Sequence, residues 1–221
     1  MSRFFTVVFG LTADPIHLGH EQAIINGIGY CRKFDLEIKQ FLLMPVYHPN
    51  LIVGKNGPVA GFKQRFDMCN IVANRLSEKL NCLIMTSDKE KQCAEISGEK
   101  NYSFNTIEFF AKQQNNLQER NNLLFMVSAD HFQGRWPKFR KWHKWKELLN
   151  HTGLLINQRP GHKINLKFIQ KLKRINPEIY IVESEKSVDI SSSAIRVANN
   201  QFREKNLSKD IFDYIVINNL Y

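Results

Sequence analysis

No apolar run in these 221 residues approaches the roughly 20 that a membrane helix needs. The first residues also lack the basic-then-apolar order of a secretory signal, so a cytoplasmic location is expected. Cysteine is scarce: Cys31, Cys69, Cys82 and Cys93 form no C-x-x-C pair and no metal-binding spacing. This excludes a disulfide scaffold and predicts no protein-held metal. Acidic residues are also few, 21 against 31 Lys and Arg, which leaves a net charge of +10. A surface of that sign attracts polyanions and steers phosphorylated substrates. The imbalance is local, because Arg135 to Arg174 holds twelve Lys or Arg and one acid, Glu147. Within it, residues 135–146 interleave aromatics with cations, which reads either as a solvated basic face beside an anionic substrate or as a nucleic-acid surface. The 43% hydrophobic and 24% charged content is ordinary for a globular chain, and the length fits one domain over 1–221.

The stretch around which the chain is organised lies near its start. Phe4 to Phe9 is β-branched and aromatic, too short for a helix and apolar enough for a buried strand of a parallel sheet. Gly10 lets the chain turn, Leu11 and Thr12 follow, and Asp14-Pro15 marks a loop before a helix near Leu18. A helix starting at the carboxyl end of a first strand is where open α/β sheets bind ligands and where free N–H groups attract anions. His17 and His20, three apart, share a face of the first helical turn, so both imidazoles point at the same phosphate.

Gly10 and Asp14-Pro15-Ile16-His17-Leu18-Gly19-His20 resemble the (H/T)xGH signature of the nucleotidyltransferase superfamily. Further segments narrow the resemblance to the nicotinate mononucleotide adenylyltransferases. Arg65 and Met68 match an Arg-x-x-Met helix opening, on a helix that periodicity places over Phe62 to Lys79. Asn101 to Ile107 resembles a Ser-Tyr-Thr-x-Asp-Thr-Leu segment, with Asn105 replacing the acid and Ser103 or Asn105 capping a helix. Ser128-Ala129-Asp130 resembles Gly-Ala-Asp, Trp142 with Glu147-Leu148-Leu149 a Trp…Glu-Leu-Leu helix, and Arg159-Pro160-Gly161 recurs unchanged. Ile190-Ser191-Ser192-Ser193-Ala194-Ile195-Arg196 resembles Ile-Ser-Ser-Thr-x-Ile-Arg. Leu11 and Ala13 depart from the usual glycine and aromatic, and Leu11 must point its side chain away from the phosphates.

The resemblance implies a doubly wound parallel α/β sheet of Rossmann-like nucleotidyltransferase type. Its strands are expected over Phe4 to Phe9, Leu36 to Met44, Leu80 to Thr86, Asn122 to Val127, Thr152 to Asn157 and Ile179 to Glu183, with an irregular connection over Ser87 to Lys100. It implies ATP binding by Gly10, Leu11, Thr12, His17, His20, Asp130, Ile190, Ser191, Ser192, Ser193 and Arg196. The catalytic residues would be His17, His20 and Arg196. Lys55, Thr86, Tyr102, Ser103, Trp142 and Arg159 would meet the acceptor. The implied reaction is adenylyl transfer from ATP to nicotinate mononucleotide, with Mg²⁺ carried on the ATP phosphates. Nicotinamide mononucleotide, phosphopantetheine and cytidylyl transfer are the rivals within the superfamily. A basic nucleic-acid-binding protein is the rival outside it, and it leaves both phosphate motifs unexplained. An assembly of several copies is compatible with the sequence.

Overall fold

The computed structural model describes residues 4–48, 57–98, 101–113, 122–158, 161–183, 188 and 190–221. Its centre is a six-stranded, all-parallel sheet: β1 (Phe4–Leu11), β2 (Glu37–Pro45), β3 (Ile84–Thr86), β4 (Leu123–Ser128), β5 (Gly153–Asn157) and β6 (Ile179–Val182). The order across the sheet is β3-β2-β1-β4-β5-β6, so the chain reverses direction of winding beside β1. The side-chain period of two sorts each strand between two cores. Val7, Phe41, Leu43, Leu124, Met126 and Leu155 face one; Val8, Leu42, Met44, Leu123, Phe125 and Leu154 face the other.

The first core is closed by α1 (Leu18–Lys33), α2 (Phe62–Leu80) and, towards the C-terminus, α7 (Ser192–Val197) and α9 (Lys209–Ile217), with α8 (Asn200–Asn206) between these two burying no residue. Arg75 ties three of these together, pairing with Glu21 of α1 and Asp210 of α9, each at 2.8 Å. The second core is closed by α4 (Ser103–Lys112), α5 (Trp145–Leu148) and α6 (Leu166–Lys173), through Ile107, Leu148 and Phe168. Helices on both faces make the sheet doubly wound, as expected. No helix among the described residues is long and apolar enough to cross a membrane.

Three expectations are corrected. The third strand begins at Ile84, because α2 runs on to Leu80 and is stopped by Asn81 in the left-handed region (φ 44°). The Ser77 hydroxyl then accepts the Ile84 N–H at 2.8 Å and donates to the Ile84 carbonyl at 3.0 Å, holding the strand start against the helix end. The connection over Ser87 to Lys100 contains α3 (Lys89–Ser97), which buries only Cys93 and Ala94 and so leaves almost no apolar periodicity to read. The helix at 103 is entered through Tyr102 with no side-chain cap, so neither Ser103 nor Asn105 caps it. Instead Asn101 Nδ2 donates to Thr106 Oγ1 at 2.8 Å across that turn.

Gly153 opens β5 where β6 crosses closest. A Cβ there would lie 2.3 Å from the Glu178 carbonyl oxygen, 2.7 Å from Glu178 Cβ and 2.9 Å from Leu124 Cδ2. That carbonyl also accepts the Leu154 N–H at 2.8 Å, so it cannot retreat without breaking the ladder. Gly153→Ala is expected to destabilise the fold by about 2–3 kcal/mol, read as a lowered urea midpoint at unchanged m.

Candidate active site

The carboxyl ends of β1, β2, β4 and β5 open into a pocket of about 470 Å³ at the point where the strand order reverses. Gly10, Leu11 and Thr12 form its floor, and His17 and His20 stand over it. The Leu11 side chain is buried in the first core, so the chain passes the pocket with its backbone, as the missing glycine requires. Ala13 makes the following turn at φ 54°.

The histidines are set by the start of α1. His17 is its N-cap, with Nδ1 accepting the Gly19 N–H at 3.1 Å, while His20 Nδ1 accepts the His17 N–H at 3.3 Å. Each closes one half of a capping box and so satisfies a backbone donor that has no helical partner. The chemical consequence is a tautomer: with both Nδ1 atoms accepting, each neutral ring carries its proton on Nε2. The ring centroids are 3.8 Å apart, so the two act at one place. Gly19 lets the His17 ring lie close over the helix start, since a Cβ there would sit 3.0 Å from that ring and 3.1 Å from Ile190.

Asp14 anchors the loop beneath them. It is fully buried and accepts from the Val59 N–H (2.9 Å), the Ala60 N–H (3.0 Å) and the Tyr221 hydroxyl (2.6 Å), and pairs with Arg196 Nη1 at 3.0 Å. Burial and this hydrogen bond push the Tyr221 hydroxyl well above its ordinary range. Arg65 is 1% exposed rather than solvent-facing. Its guanidinium donates to the carbonyls of Thr12 (2.8 Å), Val46 (2.6 Å) and Ala60 (3.1 Å), joining the ends of β1 and β2 to the start of α2.

The serine segment reaches the same pocket from 170 residues away in sequence: Ile190, Ser191 and Ser192 line it. Ser192 Oγ donates to the Pro15 carbonyl at 3.0 Å, pinning this turn to the histidine loop. Ser191 Oγ caps α7 by accepting the Ala194 N–H at 3.2 Å, and Ser193 Oγ accepts from Arg196 Nη2 at 3.4 Å. The three hydroxyls are thus engaged within the chain. Arg196 also donates to the Asp14 carbonyl at 2.7 Å, and neither it nor Ser193 lines the pocket.

On the other flank Ser103 and Trp142 line the pocket, with Trp142 edge-on to Phe125 (6.3 Å) and His131 (5.0 Å). Tyr102 stacks on His143 instead (4.6 Å), and Thr86 and Asp130 also lie off the lining, Asp130 being 3.8 Å from Lys138. Lys55 and Arg159 fall outside the described residues. In the basic stretch Arg140 lies over Phe168 (4.8 Å) and Lys144 over Phe104 of α4 (4.9 Å).

Several lining residues carried no sequence signal, among them Gln22, Asn26, Asn157 and Glu90, while Ser128 belongs to the Ser128-Ala129-Asp130 element. Gln22 and Asn26 lie one turn apart on α1, with Gln22 Nε2 donating to Asn26 Oδ1 at 2.8 Å. Glu90 sits on the helix that periodicity missed, accepting the Tyr47 N–H at 3.2 Å. Burial pushes its carboxyl up to about 7, against the opposing pull of that N–H and of the Arg65 guanidinium. The folded protein therefore holds this proton more tightly than the unfolded chain. The resulting contribution favours folding at low pH and is lost as pH rises through about 7. Glu90→Gln is expected to match the wild-type Tm in acid and to exceed it at about pH 8, checked by Tm against pH.

Residues 8–198 match the family model described as Cytidylyltransferase-like. A probable nicotinate-nucleotide adenylyltransferase of Wigglesworthia glossinidia brevipalpis is 31% identical over 175 residues, 79% of this chain and 72% of that protein. Its counterpart in Hydrogenovibrio crunogenus is 26% identical over 156 residues, 70% of this chain; the match spans less than two thirds, 62%, of that relative's length. Among solved structures, Plasmodium falciparum nicotinic acid mononucleotide adenylyltransferase complexed with NaAD superposes with a TM-score of 0.73. That likeness holds at 20% identity over 98% of this chain and 96% of the other, and it is a likeness of fold.

Proposed function

The chain belongs to the cytidylyltransferase-like family, and we propose that it transfers the adenylyl group of ATP to nicotinate mononucleotide, giving deamido-NAD and pyrophosphate. The observation that carries this reading is the convergence of two imidazoles and the Ser191-Ser192 turn on one pocket, held together by the Ser192 to Pro15 hydrogen bond. The names of the relatives point to the same reaction.

The nucleophile is the mononucleotide's phosphate, already an anion near neutral pH, so no general base is required. One of its oxygens forms a bond to the α-phosphorus, and the bond from that phosphorus to the leaving oxygen breaks, with pyrophosphate taking the electron pair. The protein's work is positioning and charge stabilisation. The Nε2–H groups of His17 and His20 donate to oxygens of the reacting phosphates. Backbone N–H groups of the Ser191 to Ser193 turn bind the departing end. Arg196 holds Asp14 and hence the loop from which both histidines project, and its Nη2 donates to Ser193 Oγ. Gly10, Leu11, Thr12 and Ile190 shape the ATP side, with Asp130 beyond the rim. Ser103 and Trp142 flank the acceptor, and Thr86, Tyr102, Lys55 and Arg159 are proposed to assist in binding it.

Nucleotidyltransferases of this kind generally use a divalent metal, and we assign Mg²⁺ carried on the triphosphate, where it offsets charge on the polyphosphate. The described residues fit that mode: Asp14, the carboxylate of the phosphate loop, is saturated by its four donors, and the pocket offers donors to phosphate oxygens. Residues 1–221 are proposed to act as one cytoplasmic nucleotidyltransferase domain, alone or as an assembly of copies. Isotope placement tests the reaction: label from [α-³²P]ATP is expected in the dinucleotide and label from [γ-³²P]ATP in pyrophosphate. Label from [γ-³²P]ATP in the acceptor product, with label from [α-³²P]ATP left in AMP, would mean pyrophosphoryl transfer and contradict the reading.

One observation favours a second acceptor. Glu90 lines the β2 side of the pocket, and once ionised it repels a carboxylate but accepts from an amide. Nicotinamide mononucleotide is therefore expected to gain on nicotinate mononucleotide as pH rises.

A further inference from the structure

We propose that the turn at 135–141 and the outer face of α6 form a second binding surface, for single-stranded RNA, outside the pocket and beyond the reaction above. Adenylyl transfer leaves most of the cations between Arg135 and Arg174 without a task, and the fold gathers them. Asn165, the N-cap of α6, donates its N–H to the Phe132 carbonyl at 2.9 Å and its Nδ2 to the Gly134 carbonyl at 2.8 Å. His162 Nδ1 and Gln133 Oε1 lie 2.8 Å apart beside them. The turn is thereby seated against the start of the helix, and the Arg140 guanidinium bridges the two, 4.8 Å from the Phe168 ring and 5.6 Å from that of Trp136. Arg135, Lys138 and Lys141 of the turn and Lys163, Lys167 and Lys171 along the helix are exposed, and none lines the pocket. Lys138 stands 3.8 Å from Asp130; the other five meet no carboxylate among the described residues. Such a face attracts a phosphodiester chain.

Trp136 says what kind of chain. It is 71% exposed although Arg140 lies over its ring, so it offers an open aromatic surface held in place by a cation. An unpaired base stacks on such a platform while neighbouring cations follow the backbone. A duplex keeps its bases stacked on one another and would leave the ring unused. Unpaired bases are displayed by RNA loops and ends, which makes RNA the partner. A membrane fits less well. Phe168, Ile169 and Leu172 of α6 are buried in the second core, so the helix exposes one large apolar residue, Leu166, and has no free apolar face to lay into lipid.

The test is fluorescence anisotropy of a labelled oligouridylate of about 12 nucleotides, with and without saturating ATP. Wild type is expected to bind it in both conditions, and about 50-fold more weakly in 200 than in 50 mM salt, as about four phosphates release their counterions. Trp136→Ala is expected to bind about tenfold more weakly with the same salt dependence. Lys167→Ala combined with Lys171→Ala is expected to flatten the salt dependence by about half. These variants exchange exposed side chains only, so folding is not at stake. No binding by wild type, displacement by ATP, equal binding of a duplex or of an abasic strand of the same length, or an unaffected Trp136→Ala would each overturn the surface. Phosphatidylserine vesicles that bind wild type in place of the oligouridylate would overturn it too and assign the face to a membrane.

Discussion

Replacing His20 with alanine is expected to lower kcat/KM for pyrophosphate release by about 10²–10³ while leaving the protein folded. The reason lies in how the ring is held. Its Nδ1 is committed to the His17 N–H, so the group turned to chemistry is an Nε2–H donor whose direction is set before any ligand arrives. Charge growing on the phosphate oxygens in the transition state meets that donor without reorganisation, in a site walled by Phe9, Met126 and Ile190. The structural cost of the substitution is one half of a capping box, about 1 kcal/mol. Catalytic loss and stability loss therefore separate. A variant with normal Tm, normal ATP affinity and undiminished turnover would remove His20 from the machinery.

Asp14→Ala is expected to cost about 3–5 kcal/mol of stability and to abolish activity at temperatures where the variant still folds. The carboxylate collects two backbone N–H groups, the Tyr221 hydroxyl and the Arg196 guanidinium in a fully buried position. Its removal leaves an arginine, 19% exposed, facing a hole, together with two orphaned amides. Tyr221→Phe supplies the control: it deletes one neutral donor of the four, for about 1 kcal/mol. The two urea midpoints should differ several-fold in their displacement from wild type. Equal displacements would mean that the ionic character of the cluster contributes nothing.

The architecture was legible wherever burial imposes a period. Five strands were readable because Val7 and Val8, or Leu42 and Leu43, must be apolar on both faces of a sheet covered on both sides. The third strand was blurred because only Asn81, Cys82 and Leu83 separate it from the end of α2, and α3 was invisible because two buried residues make no pattern. At the site, His17, His20 and the serine turn declared themselves through spacing at a strand end and a helix start. Asp14 and Arg65 did not. Their roles come from carbonyls and amides that the fold brings to them from Val46, Val59, Ala60 and Tyr221, and nothing local in a sequence marks such a convergence. Asn157 was hidden for the same reason, since its place beside Ser128 is a property of strand register. In the aromatic-cation run at 135–146, Arg140 lies over the Phe168 ring, while Lys144 lies over Phe104 and stays exposed.

The most direct measurement is pyrophosphate release with ATP and Mg²⁺ against nicotinate mononucleotide, nicotinamide mononucleotide and phosphopantetheine, run side by side on the folded protein. Release with nicotinate mononucleotide well above the other two near neutral pH is the predicted result. Silence with both pyridine mononucleotides, or release with phosphopantetheine alone, would contradict it.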